Sequence, residues 1–286
     1  MKTMLGACAV TGAKGYVGSR IASALTADWN VVPMGRSVGE DGIQWTLQST
    51  SVESQLRAHG VTALVHSAWD FNHPKASENW QTNVEGTRRL LEAAQAAGVT
   101  RIVFVSSVSS FEGARSEYGK SKLAVEKLVV AAGGTVIRPG LVWGDRPGGM
   151  FGSLKQQVSK GGLVPMIGSG RYPQYLVHED DLAEAVRRAL HPDTADAFAG
   201  RVLTVAHPQG WLLRDLIQGI ADKEGKSIKL VSVPWRLVYS ALKLAETLGV
   251  KMGFRSDSLL GLVYHNRNPQ FSGDVPVRPF AMTELH

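Results

Sequence analysis

The feature that most constrains this fold lies in the first eighteen residues. Residues 4–10 are an apolar run of strand length, and Thr11-Gly12-Ala13-Lys14-Gly15-Tyr16-Val17-Gly18 follows without a spacer. The apolar stretch from Ile21 to Leu25 then predicts a helix opening near Gly15. Glycines at that spacing permit a tight turn, close approach of backbone amides to a pyrophosphate, and close helix–strand packing. A strand that turns through such a loop into a helix opens a doubly wound α/β sheet. It places a dinucleotide over the helix N-terminus.

The remaining pattern agrees. Strand-like runs fall at residues 30–34, 43–47, 63–66, 101–105 and 135–137, and helical patterns at 16–27, 51–59, 78–97 and 118–132 separate most of them. Such alternation predicts a parallel sheet of right-handed crossovers with ligands at the carboxyl ends of its strands. The glycine loop, Arg36, His66-Ser67-Ala68 and Ser106-Ser107 all follow strand ends. Asp145-Arg146-Pro147-Gly148-Gly149 marks a passage toward a second lobe. Residues 235–250 are amphipathic with sparse, mixed charge, which predicts a helix packed on the core rather than one lying on a membrane.

Tyr118 and Lys122 are four residues apart on a predicted helix, so the phenol and the ammonium share a face. A free phenol, with a pKa of about 10, exchanges protons poorly near neutrality, and a fixed ammonium beside it should draw that value down.

Thr-Gly-x-x-Gly-x-x-Gly at residues 11–18, Asn83-Val84-Glu85-Gly86-Thr87, Ser106-Ser107, Tyr118-x-x-x-Lys122 and Arg138-Pro139-Gly140 resemble the extended short-chain dehydrogenase/reductase family, often called NAD-dependent epimerase/dehydratase. The resemblance is dense from about Ala7 to Gly144, returns at Val177-His178-Glu179-Asp180-Asp181-Leu182 and fades beyond Ala206. It implies a Rossmann-type sheet over residues 1–147 and 174–206, with a substrate-binding lobe from residues 148–173 and 207–286. It also implies three catalytic roles: Tyr118 exchanges the proton, Ser107 orients the substrate oxygen, and Lys122 binds the nicotinamide ribose. The expected cofactor contacts are Gly12, Lys14, Gly15, Tyr16, Val17, Gly18, Arg36, Ser67, Ala68, Asn83, Lys122 and Pro139, Asn83 mainly as a buttress.

The second strand ends Pro33-Met34-Gly35-Arg36-Ser37, with no acid to bind the adenosine ribose hydroxyls of NAD. Arg36 and Lys14 suit a 2′-phosphate, so NADP is favoured over NAD. Two departures from the family pattern bear on the substrate. Gln174 stands where sugar-nucleotide members carry a clamping arginine, and only ten residues separate Ser107 from Tyr118, a shorter loop than relatives carry. Val108-Ser109 replaces the Asp-Glu pair of dehydratases. The pocket candidates Trp69, Phe71, Phe111, Trp143, Met150 and Phe151 lean apolar, favouring a carbonyl on a hydrophobic skeleton, and Val108 and Gln174 are expected to line the same pocket. The expectation is an NADP-dependent oxidoreductase; the rivals are a sugar-nucleotide epimerase with retained NAD and a non-enzymatic dinucleotide sensor.

The net charge of +6 is scattered, without a Lys/Arg block or interleaved aromatic stripe, which argues against nucleic acid. No run of 18 apolar residues predicts a membrane span, and Met1-Lys2-Thr3 leads into the first strand without a cleavable signal. The single cysteine, Cys8, suits a reducing cytoplasm. His66 and His178 have no second ligand at metal spacing and are expected to be packed structural residues; no metal is expected. The partners expected are a small-molecule substrate and, at most, a second copy in a homodimer.

Overall fold

A computed structural model describes residues 3–72, 75–145, 147–250 and 254–285. Arg146, in the expected passage to a second lobe, lies outside the described residues. The strands are β1 (Ala7–Thr11), β2 (Asn30–Gly35), β3 (Ile43–Gln44), β4 (Val61–His66), β5 (Arg101–Val105), β6 (Thr135–Pro139), β7 (Leu141–Trp143), β8 (Gly162–Ile167), β9 (Pro173–His178), β10 (Val202–Val205), β11 (Gly210–Leu212) and β12 (Ile228–Val233). Seven of them form one parallel sheet in the order β10-β6-β5-β4-β1-β2-β3. The chain winds outward from β1 to β3, then returns to β4 and winds the other way. The crossovers therefore diverge between β1 and β4, and a crevice opens there at the strands' carboxyl ends.

Strand residues alternate between two cores, as a sheet covered on both faces requires. Ala9, Ile102 and Phe104 pack with Leu90, Leu91, Val125 and Val129 from the Glu85–Ala97 and Glu117–Ala131 helices. Cys8, Val10, Val103 and Val105 pack with Ile21, Leu25, Leu182 and Val186 from the Tyr16–Leu25 and Glu179–Leu190 helices. Burial pushes the Cys8 thiol up to about 12, so it is an inert core group. A third core, around Trp143, Phe151, Leu176, Leu216, Ile220 and Phe280, joins β7 and β9 to the Gly149–Ser159 and Leu213–Lys223 helices.

Two elements differ from the sequence pattern. The helix expected over 78–97 is interrupted by a π-helical turn, Trp80–Val84, between Ala76–Asn79 and Glu85–Ala97. A π turn carries one extra residue per hydrogen-bonded ring and so re-aims its side chains, a device common beside functional sites. The Trp235–Thr247 helix buries only Leu242, so it does not pack into a core as its periodicity suggested. The helix rests on the Ser256–Val263 helix through part-buried Trp235, Val238 and Tyr239, and leaves Leu237 and Leu244 exposed.

Candidate active site

A cleft of about 860 Å³ runs along the carboxyl ends of β1, β2, β4, β5 and β6. At one end it is floored by the glycine loop. Gly12 has φ +70°, and a Cβ there would come within 3.1 Å of the Ala68 backbone. A Cβ on Gly18 would come within 2.2 Å of the Gly12 carbonyl oxygen, so the helix can start this close to β1 only with glycine there. The Tyr16–Leu25 helix has no side-chain cap and no acid in its first turn. Its first amides point into the cleft unneutralised, the arrangement that receives a pyrophosphate. Lys14, Tyr16, Val17 and Arg36 line the same end. The loop thus fits the phosphates of a dinucleotide by its own geometry.

Beneath the cleft, His66 organises the turn after β4. The Thr87 hydroxyl donates to the Asn83 carbonyl at 2.6 Å, so it accepts from His66 Nε2, 2.9 Å away. That leaves His66 Nδ1 to accept from the Thr11 hydroxyl at 2.8 Å. The Thr11 oxygen in turn accepts from the amides of Ser67 and Ala68, both at 3.0 Å. Every partner requires a neutral imidazole. Burial, helped by the nearby Lys122 charge, pushes His66 down to about 3. His66 is a fully buried framework residue, and Ser67 and Ala68 are held on the cleft wall by it.

At the other end, the Glu117–Ala131 helix presents Tyr118, Lys122 and Glu126 along one face toward β5 and β6. Lys122 is 3% exposed; its Nζ donates to the Val105 carbonyl at 2.8 Å and lies 4.2 Å and 4.5 Å from the ring centres of Trp69 and Phe104. Burial pushes Lys122 down to about 7, opposed by the Glu126 carboxylate. The Tyr118 phenol is pushed up by burial to about 12, with a hydrogen bond to Ser107 as the opposing influence. The expected lowering of the phenol by the ammonium is therefore not what the structure shows. Lys122 is turned to the β5 carbonyl and the aromatic faces, and desolvation dominates both groups.

The neighbouring serines have different surroundings. Ser106 donates to Glu126, whose carboxylate also receives Arg138 through Nε at 2.9 Å and Nη2 at 2.5 Å. Its hydroxyl is thereby committed to a buried ion pair. Ser107 lines the cleft beside the phenol, and its oxygen accepts from the Ser109 amide at 3.1 Å.

The other expected residues divide. Ser67, Ala68, Trp69, Phe71 and Pro139 line the cleft. Phe71 stacks on Tyr118 at 5.7 Å between ring centres, and Trp69 meets it edge-on at 5.8 Å. Asn83 lies behind the wall, fully buried, with its amide bonded to both the N–H and the carbonyl of Asp70; it holds the loop and does not face the cleft. Trp143 is corrected to a core residue, edge-on to His178 and Phe280. Gln174 lies on β9 and donates to the carbonyls of Tyr172 and Pro173, and Val108 bonds through its amide to Pro139; neither lines the cleft.

Sequence reasoning missed two contributors. Glu126 had a signal, standing one turn beyond Lys122, with Arg138 available as its partner. Asp257 had none. It accepts from the amides of Glu117 at 2.6 Å and Tyr118 at 3.0 Å, capping the Tyr118 helix from 139 residues downstream of Tyr118. Next to it, Arg255 donates to the Phe71 carbonyl. One segment therefore bonds to the backbone of both residues of the stacked pair.

The glycine cradle and the Tyr118–Lys122 face both fall within the span that a family model matches. The model of the NAD dependent epimerase/dehydratase family matches residues 8–203, more than half of the chain. The chain belongs to that family. An uncharacterised protein of Sinorhizobium fredii is 28% identical over 275 residues, covering 80% of this chain and 76% of its own. A ceramide reductase of Caulobacter vibrioides is 26% identical over 242 residues, covering 80% and 74%. Among solved structures, a UDP-glucose 4-epimerase from Thermotoga maritima superposes with a TM-score of 0.71 at 18% identity, covering 80% of this chain and 86% of that one. That likeness concerns the fold. Members of that family use a nicotinamide dinucleotide, and the geometry of the glycine loop fits one. Among the described residues no helix is long and apolar enough to cross a membrane.

Proposed function

We propose that this protein is an NADP-linked oxidoreductase that interconverts a carbonyl and an alcohol on an apolar skeleton. The observation that carries this reading is the environment of Tyr118. Its phenol stays protonated at neutral pH, bonds to Ser107 and is walled by Phe71 and Trp69. A protonated phenol beside an apolar wall suits delivery of a proton to the oxygen of a carbonyl being reduced. Ser107 orients that oxygen. Lys122, on the cleft side of β5, serves the ribose hydroxyls of the dinucleotide, and the uncapped amides of Tyr16 and Val17 at the helix start serve its pyrophosphate, the Gly12 and Gly15 amides being bonded to the Met34 and Gly12 carbonyls. When bound, the dinucleotide supplies the hydride chemistry.

The preference for NADP rests on Lys14 and Arg36. Both line the adenosine end of the cleft, both are exposed, and neither has a carboxylate partner among the described residues. Asp70 is the one acid among the described lining residues, and it is turned to the backbone and side-chain nitrogens of Asn72. Residues 148–173 and 207–286 are read as the substrate lobe; the Gly149–Ser159 and Leu213–Lys223 helices share one core, which Trp143 of β7 and Leu176 of β9 join from the sheet side.

A second reading, a sugar-nucleotide epimerase, is favoured by the likeness to a UDP-glucose 4-epimerase. Against it, the described lining offers no cation to a substrate diphosphate beyond Lys14, Arg36 and the buried Lys122. The discriminating experiment denatures the purified protein, identifies any released nucleotide, and then offers apolar ketones with NADPH beside UDP-glucose alone. Net NADPH oxidation by ketones supports the reductase. Released NAD with interconversion of UDP-sugars, and no net NADPH oxidation, would replace it with the epimerase.

A further inference from the structure

The Trp235–Thr247 helix turns Leu242 inward and leaves its opposite side in solvent. Leu237 is 65% exposed, Leu244 61%, and Leu248, just beyond the helix, 70%. With Ala241 they fall within about 60° of one another around the helix axis. On the flank of the helix next to Arg236, about 100° round from Leu237, a cavity of about 650 Å³ opens between the helix and the start of the Tyr118 helix. Arg115 and Arg236 project into it, Arg115 at 4.1 Å over the Tyr264 ring and Arg236 at 5.5 Å from that of Trp235. Aromatic faces orient these guanidinium groups without neutralising them. Neither arginine has a carboxylate partner among the described residues. The acids nearby are engaged: Glu117 with Lys120, Glu246 with Lys243 and Ser256, and Asp257 with the helix amides. Arg115 and Arg236 are therefore the guanidinium groups on this flank without a carboxylate contact among the described residues.

We propose that this face docks on an anionic phospholipid bilayer, with the leucines entering the interface and Arg115 and Arg236 meeting lipid phosphates. A leucine stripe flanked by cations is the arrangement that binds such a surface in its plane. The stripe is also small for a protein partner. Three leucines and an alanine present a few hundred Å², against about 800 Å² per side in a specific protein interface. The docking goes beyond the reductase reading and does not depend on it, because the stripe and the arginines lie outside the cleft.

The test is sedimentation of the full-length protein with vesicles of phosphatidylcholine alone and of phosphatidylcholine mixed with phosphatidylglycerol. Binding is expected only to the mixed vesicles, and it should weaken as salt is raised. The Leu237→Ser, Leu244→Ser double variant should lower partitioning on the order of tenfold or more. Arg115→Gln and Arg236→Gln should each lower it about fivefold. All these side chains are exposed or line an open cavity, so circular dichroism and NADPH affinity should be unchanged. No binding to the mixed vesicles, equal binding to phosphatidylcholine alone, or unaltered binding by the variants would overturn the proposal. So would leucine variants that turn a dimer into a monomer on sizing while still binding vesicles, since the stripe would then be a contact between copies.

Discussion

Asp257→Ala should loosen the start of the Tyr118 helix without touching the glycine loop. The wild-type carboxylate accepts from two amides, Glu117 N at 2.6 Å and Tyr118 N at 3.0 Å, which the helix itself cannot satisfy. It also places negative charge at the positive end of the helix dipole. A lost cap costs about 0.5–2 kcal/mol and a hydrogen bond to a charged group about 1.5–3 kcal/mol. Water can replace part of this at a half-buried site, so about 2 kcal/mol is expected. At roughly 2–4 °C per kcal/mol for a protein somewhat smaller than this one, Tm should fall by about 4–8 °C. Amide exchange gives the sharper reading, because about 2 kcal/mol is close to a thirtyfold loss of protection at Glu117 and Tyr118. Turnover should fall as Tyr118 loses its fixed position, while NADPH affinity stays near wild type. Asp257→Asn, which keeps one acceptor oxygen, should lie between the two. Unchanged protection at those two amides, or equal loss along the whole helix, would refute the capping role.

Arg36→Ala should weaken NADPH binding by about ten- to a hundredfold and leave NADH nearly unchanged, as fluorescence titration of both would show; equal losses would remove the 2′-phosphate contact. His66→Gln should flatten the acid side of the stability profile. Folded His66 titrates at about 3 and unfolded His66 at its ordinary 6.5, so its contribution is complete above pH 6.5 and is lost as pH falls through 3. The stability gap between wild type and variant in urea titrations should shrink by about 1.4 kcal/mol per pH unit across that window, and a constant gap would contradict the neutral assignment. Ser107→Ala should lower turnover about 10²–10⁴-fold with little change in NADPH affinity, and far more than Ser109→Ala does; the reverse order would move the assignment along the loop.

The parts of the fold legible in the sequence were those set by local chemistry. The glycine loop needs its spacing for a turn, a close approach and a helix start within a few residues, so it could be read directly. The strand ends carrying Ser67, Ser107 and Pro139 followed from alternation, because every crossover returns the chain to the same edge. Side-chain direction was less accessible. Trp143 was expected in the pocket as one of its apolar candidates and Gln174 because it stands where relatives carry an arginine, but β7 turns Trp143 into the third core and Gln174 bonds to backbone carbonyls. Asn83 was read as a buttress, and the π turn places it against Asp70 in that manner. Asp257 left no trace because a carboxylate cap carries no local pattern when its helix is 139 residues away. Periodicity found the amphipathic stretch at 235–250 but could not say that the chain leaves one of its faces uncovered. The phenol's pKa was misjudged because i, i+4 spacing fixes a shared face and not the direction of the ammonium, which Val105 and two aromatic rings capture.

The most direct measurement of the central claim is the stoichiometry of NADPH consumed to alcohol formed from an apolar ketone, in wild type and in Tyr118→Phe. The account predicts one-to-one consumption by the wild type. Loss of the phenolic oxygen should slow it about 10²–10⁴-fold while NADPH still binds. Undiminished turnover in Tyr118→Phe, or a wild-type protein that binds NADPH but reduces none of the ketones, would contradict it.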